Sequence, residues 1–135
     1  MSQQGDGVVS ILVVDDEASV RRVIRRMLES AGYAVREAPN GKAAMLEFKQ
    51  RPADLLITDI FMPEQEGIET IGAMRREHPE LRIIAISGVA GNPYLRMAEI
   101  MGAYATLQKP LRLLPVLETV RAALEQPVED RDDAA

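Results

Sequence analysis

Four apolar runs in this sequence end on polar residues able to do chemistry. Asp15-Asp16 follows Ile11-Leu12-Val13-Val14, and Asp59 closes Leu55-Leu56-Ile57-Thr58. Ser87 closes Ile83-Ile84-Ala85-Ile86, and Lys109 follows the run 103–108. A lone Asp in such a place would most simply cap the next helix. An ionised carboxylate beside apolar residues is costly unless paired or metal-bound. Three carboxylates brought together could not all stay ionised without a cation between them. The chain has no cysteine and a single histidine, so a hard, oxygen-seeking ion fits, and Mg2+ with retained waters suits an open site. Mg2+ with a carboxylate, the Ser87 hydroxyl and the Lys109 ammonium is a site for a phosphoryl group. The metal and Lys109 neutralise its oxygens, Ser87 donates a hydrogen bond, and an Asp is the nucleophile that accepts it.

That chemistry requires elements that bring these residues together. Leu55, Leu56 and Ile57 lie between Pro52 and Met62-Pro63, a short continuous run of the kind covered on both faces in a parallel sheet under helices. Val8 to Val14 and Arg82 to Ser87 read the same way. Residues 33–38 and 103–108 are mixed, as edge strands are. Between the strands apolar residues recur at helical spacing. Val20, Val23, Ile24, Met27, Leu28 and Ala31 predict a helix ending at Gly32. A second helix opens after Asn40-Gly41 and closes before Pro52; others are predicted at 64–77, 94–101 and 113–125. Pro115 is tolerated because it falls in the first turn of the last one. The loop 88–93, with two glycines, is built to bend or move. Five strands alternating with five helices predict an α/β fold, a doubly wound five-stranded parallel sheet. Right-handed crossovers with apolar central strands give the order 2-1-3-4-5, which makes strands 1 and 3 neighbours and converges Asp15, Asp16 and Asp59 on one pocket.

The totals bound the rest. The 135 residues suffice for one domain, expected over 8–125, with flexible tails at 1–7 and 127–135. A hydrophobic fraction of 47% and a charged fraction of 27% describe an ordinary globule, and a net charge of −5 argues against a nucleic-acid partner. No apolar stretch approaches the roughly 18 residues of a membrane span, and the start is no signal peptide, so no membrane is expected and the location expected is cytoplasmic. The arginines at 21, 22, 25 and 26 read as a solvated helix face, and His78, in a turn without ligand companions, reads as having no functional role.

Taken together, the acidic pair after strand 1, Asp59-x-x-Met62-Pro63-x-x-x-Gly67, Ser87-Gly88 and Lys109-Pro110 resemble the receiver domain of bacterial response regulators, of the flavodoxin-like chemotaxis-regulator type. The likeness spans residues 8 to 125. It implies a signalling domain that catalyses only its own phosphorylation and dephosphorylation. In it Asp59 accepts phosphate from the phosphohistidine of a sensor histidine kinase or a histidine phosphotransfer protein. It further implies that Asp16 and Asp59 ligate Mg2+ directly and Asp15 through water, with the main-chain carbonyl of Phe61 completing the protein ligands. Ser87 and Lys109 would hold the phosphoryl oxygens, with Lys109-Pro110 a cis bond. The switch position three before the lysine, a ring in the family, is Thr106 here, and the nearest ring is Tyr104. Thr106 has little volume to swing, so the signal is expected to leave through the loop 88–93 and the helix after it. That helix, 94–101, carries more apolar residues than one stripe needs, and its surplus, with the adjacent strand and helix, reads as the surface for a downstream protein partner. Two other classes compete. A haloacid-dehalogenase-like phosphatase would need Asp-x-Asp after strand 1, where this chain has Asp15-Asp16-Glu17. A pseudo-receiver scaffold, never phosphorylated, would not need all five polar residues. The starting Met1 and the acidic tail favour a stand-alone regulator.

Overall fold

The computed structural model describes residues 7–60, 66–88 and 93–125. The order of elements is β1 (Ser10–Val14), α1 (Ala18–Glu29), β2 (Ala34–Ala38), α2 (Gly41–Gln50), β3 (Leu55–Asp59), α3 (Glu66–Glu77), β4 (Arg82–Ser87), α4 (Pro93–Met101), β5 (Ala105–Gln108) and α5 (Leu113–Glu125). The strands form one parallel sheet in the order β2-β1-β3-β4-β5, the predicted arrangement.

The strand side chains alternate between two cores, as the period of two requires. Leu12, Val14, Leu56 and Ile83 point to the face covered by α2, α3 and α4, where they meet Phe48, Ile71, Met74 and Ala98. Ile11, Val13, Ile57 and Ile84 point to the other face, against Ile24 and Leu28 of α1 and Val116 and Val120 of α5. Every residue of β1 and β3 is buried, whereas β2 and β5, at the sheet's edges, alternate or stay half-buried.

Two strands start two residues later than the sequence reading has them. β1 starts at Ser10 rather than Val8, because Val8 precedes the register with β2 and is exposed. β5 starts at Ala105 rather than 103, because the Ala103 N–H still donates to the Ala98 carbonyl at the end of α4. Gly102, at φ +126°, makes that stop. Asn40 caps α2, its side chain accepting from the Ala43 N–H at 2.8 Å. Arg75 of α3 ties two segments together: its guanidinium donates to the Pro79 carbonyl at 2.7 Å and to the Gly102 carbonyl at 2.8 Å. The tails expected at 1–7 and 127–135 lie outside the described residues except for Gly7, as does most of the loop 88–93.

Candidate functional site

The parallel sheet puts the carboxyl ends of β1, β3, β4 and β5 on one edge, and each predicted polar residue sits on it. Asp59 is the last residue of β3 and is buried. Asp15, directly after β1, is fully buried. Lys109, half-buried after β5, joins them: its Nζ lies 3.0 Å from Asp59 Oδ2 and 3.4 Å from Asp15 Oδ2. Ser87, buried at the end of β4, accepts the Lys109 main-chain N–H on its carbonyl at 2.8 Å, which fixes the lysine's start beside the serine. The Lys109-Pro110 bond is cis, as expected.

The electrostatics follow from this packing. Burial first, and the nearby Asp59 carboxylate with it, push the Asp15 carboxyl up to about 6, against the lowering pull of the Glu17 main-chain N–H and of Lys109. Burial alone would lower the Lys109 ammonium, but its bonds to Asp59 and Asp15 outweigh that and raise it. The pocket thus holds more negative charge than its lysine neutralises.

Asp16 is exposed, and a carboxylate oxygen from each of Asp15, Asp16 and Glu17 lies within 4.8 Å of the others. A buried carboxyl pushed toward neutrality beside an all-oxygen donor set fits a hard divalent cation. Thr106, half-buried, pairs with Ala85 of β4, two residues before Ser87. Phe61, expected to offer its carbonyl, lies outside the described residues.

The sequence reading missed three residues. Glu17 enters the sequence reading only as the residue that breaks an Asp-x-Asp pattern, yet it joins the acidic cluster; its position directly after Asp15-Asp16 is the available signal. Arg21 was placed on a solvated face, yet its guanidinium donates to the Asp15 carbonyl and to Glu37. Gly67 stood in a motif without a reason. A Cβ there would run into the Asp59 carbonyl and the Ile60 Cα, so α3 can lie against the end of β3 only with glycine at this point.

Comparison with known proteins agrees with this geometry. The sequence model described as the response regulator receiver domain matches residues 11–121. The chain belongs to the response regulator receiver family. It is 32% identical over 114 residues to the response regulator receiver protein CpdR of Brucella abortus, covering 84% of this chain and 95% of that one. It is also 33% identical over 122 residues to the sensor kinase CckA of Brucella abortus, covering 89% of this chain but 13% of the kinase. The chain therefore spans a small part of some relatives and nearly all of others. The crystal structure of the receiver domain of NtrX from Brucella abortus superposes with a TM-score of 0.83 at 28% identity, over 87% of this chain and 99% of that one. Receiver domains take phosphoryl groups from histidine kinases and generally bind Mg2+ in an acidic pocket. Among the described residues, no helix is long and apolar enough to cross a membrane.

Proposed function

We propose that this receiver domain, over residues 8–125, accepts a phosphoryl group on Asp59 from the phosphohistidine of a histidine kinase or phosphotransfer protein. The observation that carries the reading is the buried Asp59 carboxylate held 3.0 Å from the Lys109 ammonium, with the buried Asp15 carboxyl sharing the same cation. An Asp59 oxygen attacks phosphorus, the P–N bond of the phosphohistidine breaks, and the imidazole leaves and takes up a proton. Lys109 turns from Asp59 to the phosphoryl oxygens, whose charge it offsets, and the Ser87 hydroxyl donates a hydrogen bond to them. Asp16 and Asp59, with Asp15 through water and the Phe61 carbonyl, would hold Mg2+, and Glu17 stands beside them. When bound, the metal supplies positive charge that lets an anionic phosphodonor approach a cluster of carboxylates. The domain turns over no external substrate; its product is its own phosphorylated form, which presents a changed surface to a protein partner.

The test is intact-mass measurement after incubation with acetyl phosphate. Wild type with Mg2+ gains one phosphate, while Asp59→Asn gains none and wild type with a chelator gains none. Equal labelling of wild type and Asp59→Asn would end the assignment.

A further inference from the structure

We infer that Arg21 is a positioning residue for the phosphoacceptor pocket: its guanidinium clamps the Asp15 carbonyl to Glu37 of β2 and so fixes the peptide that aims Asp16. The inference rests on reading the pocket as a Mg2+-dependent phosphoacceptor site. Arg21 Nη1 donates to the Asp15 carbonyl oxygen at 2.6 Å, and Nε donates to Glu37 Oε1 at 3.0 Å. Glu37 is in turn held from its other oxygen by Arg25 Nη1 at 3.1 Å, and Arg25 Nε reaches Glu29 at 2.9 Å. The Arg21 side chain is only 16% exposed, so this is a packed contact rather than a solvated one.

The hydrogen bonds of Asp15 give the contact its meaning. The Asp15 N–H donates to the Ala38 carbonyl at 3.2 Å. Its Oδ1 accepts from the Glu17 N–H at 2.9 Å, and its Oδ2 faces Lys109. The carbonyl is the remaining polar group, and Arg21 holds it. That carbonyl belongs to the planar peptide leading into Asp16, so fixing the oxygen fixes the plane from which Asp16 departs. Asp16 is exposed, at the mouth of the pocket, where the course of the backbone decides its direction. Glu37 balances the charge of Arg21 locally, so the effect is geometric. A lysine would keep the charge, but its single ammonium lacks the planar fork that spans both partners.

Mg2+ binding measured by isothermal titration calorimetry tests this on the purified chain. Arg21→Lys and Arg21→Gln are expected to weaken the affinity for Mg2+ by about 10-fold or more, the range seen when an outer residue orients a ligand. The Mg2+ concentration for half-maximal labelling by acetyl phosphate should rise in parallel, while labelling at saturating Mg2+ stays within about twofold. Arg22→Gln, at an exposed neighbour, should leave the affinity unchanged. A melting temperature lowered without Mg2+ in both Arg21 variants, with an affinity within about twofold of wild type, would mean that Arg21 only braces α1 against β2, and would overturn the inference. Arg21→Lys serves if the Gln variant fails to fold. If wild type binds no Mg2+ and takes no phosphate, the reading of the pocket falls and the inference with it. If wild type does both and Arg21→Lys matches it, the inference falls alone.

Discussion

At the scale of single residues, Asp15 sets a tension within the site. Its carboxyl is held at about 6 by burial and by Asp59, against 3.8 for an ordinary aspartate. The folded chain therefore binds this proton more tightly than the unfolded one. The stabilisation is fully present below about pH 4 and is lost as pH rises through about 6, a change of at most about 3 kcal/mol. Asparagine would keep an acceptor for the Glu17 N–H and carry no charge. In Mg2+-free buffer Asp15→Asn should therefore be more stable than wild type at pH 7, by about 1–3 kcal/mol, with the gap closing toward pH 4. Urea unfolding of both proteins at the two pH values measures this, and a gap that does not change with pH would show that the burial of Asp15 costs nothing. The same variant should bind Mg2+ more weakly, which would mark stability and ion binding as opposing demands on one side chain.

At the scale of elements, α4 stands apart. Met97 is 46% exposed and Ile100 is 76% exposed, and Leu113 and Leu114 at the start of α5 are exposed as well. Among the described side chains of α4, only Ala98 is fully buried, against the core on that face of the sheet. The surplus read from the sequence is thus on the outside, where it can meet a protein partner. Met97→Glu should change the unfolding free energy by no more than about 0.5 kcal/mol, as is typical of surface changes, while reducing self-association or partner capture by the phosphorylated form. Analytical ultracentrifugation and a pull-down with the phosphoform decide this; no change in either would make the exposed residues incidental. The elements were legible because burial imposes patterns. Apolar runs marked β1, β3 and β4 as central, and the mixed Tyr33–Ala38 and Ala103–Gln108 marked the edges. The carboxyl-end residues Asp15, Asp59, Ser87 and Lys109 could be placed for the same reason, since strand order brings strand ends together. The Arg21–Glu37–Arg25 contact was not legible: it joins an α1 face to the end of β2, and no periodicity records which charged residues on two separate elements meet. The need for glycine at Gly67 was hidden likewise, because it depends on how closely one backbone passes another.

At the scale of the whole molecule, the issue is how a change at the strand ends travels. Thr106 is small and β-branched, stiff at its first side-chain torsion and with little volume to move. Tyr104, the nearest ring, is partly exposed, and its main-chain N–H is tied to the Ile83 carbonyl at 2.7 Å. Comparing free protein with the beryllofluoride and Mg2+ form by NMR should give large shifts across 87–101 and little change in the Tyr104 ring. A clear reorientation of that ring would show it has taken over the switch position. The Arg75 contacts then acquire a mechanical sense. Arg75 ties the end of α4 farther from Ser87 at the Gly102 carbonyl, and a helix that tilted about that tie would act as a lever with its fulcrum remote from the chemistry. Its nine residues make an arm of about 13 Å. A tilt of about 15° about that fulcrum carries the first turn some ~3 Å while the last hardly moves. Displacement would then be graded along the helix, and a partner that reads its first turn would sense far more of the tilt than one that reads its last.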